Sequence, residues 1–149
     1  MLSDPSVIDL LNREFNAVEL NLTDQGFPPW LEALAPFKAA YDAIPQSKRA
    51  FNTPAVVDPE GVVLLGHGDT GAIVQKAKQD SVNFDTARYL QMLETSVKRN
   101  SRLEALRGDP ALSAEDRASS IAALRLEVLQ ELERMFKSQS NIRQMGMMR

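Results

Sequence analysis

The sequence predicts a mainly α-helical fold with one short β-hairpin at about residues 55–65. Three observations predict it. Apolar residues recur at steps of three and four over two long C-terminal stretches, which are separated by Gly108-Asp109-Pro110. The period shortens only once, where Val56-Val57 and Val62-Val63-Leu64-Leu65 flank Asp58-Pro59-Glu60-Gly61. A chain of 149 residues that is 44% apolar can build a core without disulfides, and it has no cysteine with which to form one.

The first helix begins after Ser3 or Ser6 as cap and runs to about Glu19. Val7, Leu10, Leu11, Phe15 and Val18 form its apolar stripe. Gly26, Pro28 and Pro29 punctuate the connection that follows. A second helical stretch starts near Pro29, with Trp30, Leu34, Phe37, Tyr41 and Ile44 on one face. Pro36 kinks or splits it, because proline removes a backbone donor and crowds the preceding turn.

Residues 45–54 read as a loop before the hairpin. In the hairpin turn Pro59 presets φ and Gly61 accepts a positive φ. A lone hairpin is marginal in water, so it must pack on helices or pair with another chain. A helix over about 70–79 follows. Asn83 or Asp85 then opens a long helix to about Arg107, with Leu90, Leu93, Val97, Leu103 and Leu106 along its stripe. Gly108 is expected to supply a left-handed stop, and Asp109-Pro110 to prevent resumption.

The last helix is expected over 114–137. Ser113 and Asp116 have the spacing of a cap that satisfies first-turn N–H groups. Ile121, Leu124, Val128, Leu132 and Met135 form one stripe, and Phe136 widens it. Together the two helices make an antiparallel hairpin over 85–137. Residues 1–137 are thus expected to form a single domain, and 138–149 a C-terminal tail.

The composition excludes several classes of function. Thiolate nucleophiles and zinc–sulfur sites need cysteine. No apolar run approaches the roughly 20 residues that cross a bilayer. The N-terminus carries no basic segment followed by an apolar core, so no secretory signal is expected. The virion or the cytoplasm of a host cell is the expected location. Residues 1–80 carry a net charge of −5 and residues 81–149 a net charge of +2. Arg134, Lys137, Arg143 and Arg149 leave the last sixteen residues at +4 with no acid. A basic end of this kind is a candidate for contact with nucleic acid, although four charges are few for phosphate neutralisation.

One stretch has the form of a ligand loop. Gly66-His67-Gly68-Asp69-Thr70-Gly71 matches G-x-G-x-x-G between a predicted strand and a predicted helix. Gly66, His67, Gly68, Thr70 and Gly71 are its candidate binding residues. The second parallel strand of a dinucleotide fold is missing. His67 and Asp69 offer two metal ligands without a third, and no carboxylate pair or nucleophile–base couple stands out. No catalytic residue, metal or cofactor is assigned, and no enzyme activity is expected.

Residues 54–79, on the run from Val56 through Gly66-His67-Gly68, resemble the hairpin and Gly-His segment of the ParB-like domain of chromosome-partition proteins. That resemblance implies a nucleotide- or nucleic-acid-binding regulator. The family places an arginine where this chain has Asp69, and an acid there repels phosphate.

Residues 97–149, on the stretch from Leu103 through Asp109-Pro110-Ala111-Leu112-Ser113-Ala114-Glu115-Asp116 to Leu124, are similar to segments in internal and tail structural proteins of tailed bacteriophages. There a helix, an Asp-Pro break and a Leu-Ser-x-Glu start lead into a long helix and a polar, Met-containing end. The similarity implies a structural role in particle assembly, with self-association and contacts to other structural proteins. The candidate interaction surface is Ile121, Leu124, Val128, Leu132, Met135 and Phe136, continued by Ile142, Arg143, Met145, Met147 and Met148.

Overall fold

The computed structural model describes residues 3–19, 26, 28–35, 38, 42, 54–67 and 86–147, with side chains in the last helix to 134 except 132. Helix α1 (Pro5–Glu14) is followed by a 3-10 turn (Glu32–Leu34), strands β1 (Ala55–Val57) and β2 (Leu64–His67), and helices α2 (Thr86–Gly108) and α3 (Ala114–Met147). Among the described residues the architecture is mainly helical, with one two-stranded antiparallel hairpin.

Asp4 caps α1, its carboxylate accepting the Ser6 backbone N–H at 2.9 Å, with Pro5 at the first helical position. The helix ends at Glu14, short of the expected Glu19. Phe15 is already extended, and it packs back on the core. Val18, expected in the stripe, is 76% exposed. Around the second expected helix only the short 3-10 turn and isolated positions are described. Leu31, Ala33 and Leu34 are buried, while Trp30 stands 65% exposed. Phe37, Tyr41, Ile44 and the expected helix over 70–79 lie outside the described residues.

The hairpin forms where the period predicted it. The Gly61 N–H donates to the Asp58 carbonyl at 2.9 Å, and Gly61 takes φ +72°. A Cβ at Gly61 would also lie 3.0 Å from Leu31, so this glycine serves both turn and packing. Strand β2 extends two residues past Leu65 and is buried throughout. The register slips by one residue, since Val56 pairs with Gly66 but Val57 with Leu64. Leu65 is the extra residue of this bulge.

Among the described residues, two apolar clusters join the elements of the core. Val7 and Leu10 of α1 meet Tyr89, Met92 and Leu93 of α2. Val63 and Leu65 of the hairpin meet Leu103 and Leu124 of the two long helices. Val56 touches both clusters and joins them. Helices α2 and α3 run antiparallel: Arg99 faces Glu127 and Glu131, while Leu103, further along α2, meets Leu124, further back on α3.

The turn between them departs from expectation in one respect. Gly108 has no positive φ and remains in helix α2. The stop comes instead from Asp109-Pro110 and from Arg117. The Arg117 guanidinium donates to the Leu106 carbonyl at 3.0 Å and the Asp109 carbonyl at 2.8 Å, which satisfies acceptors at the helix end. The Ser113 hydroxyl accepts the Asp116 N–H at 3.0 Å and donates to its carboxylate at 2.7 Å, as the cap spacing predicted. Helix α3 then runs ten residues beyond the expected end at Lys137. Residues 138–145 contain neither glycine nor proline, so nothing in them stops a helix already under way.

Candidate functional site

The outer face of α3 is left free by the way the inner face is anchored. Arg99 is the anchor. It is a buried arginine on α2, in line with the apolar residues Met92 and Leu103. Its Nη1 donates to the Leu65 carbonyl at 2.9 Å, at the bulge. Its Nη2 donates to Glu131 of α3 at 2.6 Å, and its Nε lies 3.5 Å from Glu127. Arg102 adds a second contact to Glu127 at 3.2 Å. One guanidinium thus ties hairpin, α2 and α3 together, using the planar fork of donors that arginine alone provides. Arg125 of α3 reaches back to the Val62 carbonyl at 3.3 Å.

This anchoring turns Leu124 and Val128 fully inward and leaves Ile121 half-buried against the hairpin. Leu124 and Val128 therefore close the chain's own core, with Ile121 packed half-buried beside them. Leu132, Met135 and Phe136 sit on the same helix, with side chains outside the described set. Ile142, Arg143, Met145 and Met147, expected in a tail, lie on the helical backbone of α3, and Met148 is outside the described residues. The opposite face was not singled out from the sequence. Leu126 is 54% exposed and Leu129 40% exposed, with exposed Ala118 and Ala122 on the turns before them. The signal was present: residues 122, 126 and 129 are themselves apolar at helical spacing, on the far side of the helix from Leu124.

Of the glycine stretch, only Gly66 and His67 lie among the described residues. Gly66 lies in β2 against α2, where a Cβ would come within 2.1 Å of the Ser96 hydroxyl oxygen. Its missing side chain serves close strand–helix packing. His67 follows in the same strand and is buried. Gly68, Thr70 and Gly71 lie outside the described residues.

A second charged cluster holds the hairpin turn to the end of α2. Asp58 is buried, and its Oδ1 accepts the Val62 and Val63 N–H groups, each at 2.8 Å. Its Oδ2 accepts from Arg107 at 2.7 Å, and Arg107 also binds Glu60 at 2.9 Å and Glu104 at 3.0 Å. Burial pushes the Asp58 carboxyl up. The Val63 N–H, the Arg107 guanidinium and the Val62 N–H together outweigh it and hold the group below the usual carboxylate range. The cluster is saturated by its own members and serves the fold.

Among the described residues no group of three His, Cys, Asp or Glu side chains is placed to hold a metal. No helix among them is long and apolar enough to cross a membrane. Comparison with protein-family models, curated proteins and solved structures finds no match to this chain.

Proposed function

We propose that this protein is a structural component that acts by associating with itself and with other proteins of a larger particle. The bacteriophage virion, which its C-terminal segment resembles, is the setting we propose. The observation that carries this reading is the exposed pair Leu126 and Leu129 on a 34-residue helix whose inner face is already occupied. A helix that is apolar on both sides wants a partner on both. At 1.5 Å per residue α3 is about 51 Å long. That is enough for one face to contribute a large part of a standard interface of roughly 1,600 Å².

The test is the solution mass of the full chain, by light scattering after gel filtration, beside the variant Leu126→Glu/Leu129→Glu and a chain ending at Lys137. The wild type should be a dimer or larger, and the double variant should fall to the monomer mass with its helical content intact. A wild type that stays monomeric at about 100 μM, far above the Kd of a stable interface, refutes the reading. So does an oligomer that the double variant leaves unchanged.

A further inference from the structure

We draw no further inference here: the strongest candidate, the surface patch where the Trp30 ring, 65% exposed, sits on the hairpin turn at Gly61, carries none, because the turn's own Glu60 is already bound by Arg107 and nothing in the structure shows what covers the ring.

Discussion

Replacing Gly66 by alanine should destabilise the protein, and replacing Ser96 by alanine in the same chain should undo the damage. The Gly66 backbone sits so close to α2 that an added Cβ falls 2.1 Å from the Ser96 hydroxyl oxygen. Ordinary contact begins near 3.4 Å, so the pair is about 1.3 Å too close. Two responses are open. The hydroxyl can swing away from the Met92 carbonyl, which it binds at 2.7 Å, and leave a buried hydroxyl without a partner. That costs about 1–3 kcal/mol. Alternatively β2 moves off α2 and loosens both core clusters, at about 1–3 kcal/mol for overpacking. Either way Gly66→Ala should cost roughly 2 kcal/mol. The next nearest atom to the new Cβ is Met92 Cγ at 3.4 Å, which needs no movement. With Ser96→Ala the clash is therefore gone, and the alanine regains about 0.4–1 kcal/mol by restricting the unfolded chain. Ser96→Ala alone should cost under about 1 kcal/mol, since it removes a hydroxyl bound only to its own helix. Urea unfolding of the four proteins, with ΔG from the linear extrapolation, gives the coupling. The double variant should lie within about 1 kcal/mol of wild type. If the two losses simply add, the close approach of β2 to α2 is not what Gly66 provides, and the glycine must be explained by the loop that follows it.

Two further outcomes follow from the charged clusters. Asp58→Asn should cost about 2–3 kcal/mol, because it breaks a buried hydrogen-bonded pair and turns an amide donor toward Arg107. Asp58 is held below the usual carboxylate range in the folded protein, so its contribution is present above the unfolded-state pKa. That contribution is lost as pH falls through the lower folded value. Urea midpoints measured from pH 7 downward should therefore converge for wild type and Asp58→Asn, and parallel curves would refute the assignment. Arg99→Met should cost about 3 kcal/mol by leaving the buried Leu65 carbonyl without its donor and Glu131 without Arg99, while Glu127 keeps Arg102, and Arg99→Lys should recover only part of that loss. Full recovery in the lysine variant would show that charge alone, and not the fork of donors, holds the three elements.

The hairpin and both long helices were legible because their signals are local. Asp58-Pro59-Glu60-Gly61 carries its turn geometry in four adjacent residues, and Ser113 with Asp116 carries a cap in four. The stop of α2 was misassigned to Gly108 because the group that satisfies its carbonyls, Arg117, lies in the next helix. At Gly66 a glycine required by packing and a glycine required by a phosphate are identical in sequence, and the 2.1 Å approach to Ser96 supplies the packing reason. The stripe of α2 was misjudged in composition for a related reason. Its buried positions include Ser96 and Arg99, which an apolar pattern discards.

Arg99 also decides which apolar face of α3 is left exposed. Two apolar rows on α3 competed for the core, one through Leu124 and Val128 and one through Leu126 and Leu129. Spacing alone cannot choose between them, because both satisfy a helical period. The choice is made by the polar residues between the rows. Glu127 and Glu131 lie on the side of α3 that faces α2, and Arg99 meets them there while holding the carbonyl at the β2 bulge. Once that ion pair is fixed, Leu124 and Val128 must turn inward, and Leu126 and Leu129 must turn out. A buried arginine with acids on the facing helix is therefore more informative about which face remains free than either apolar row taken alone.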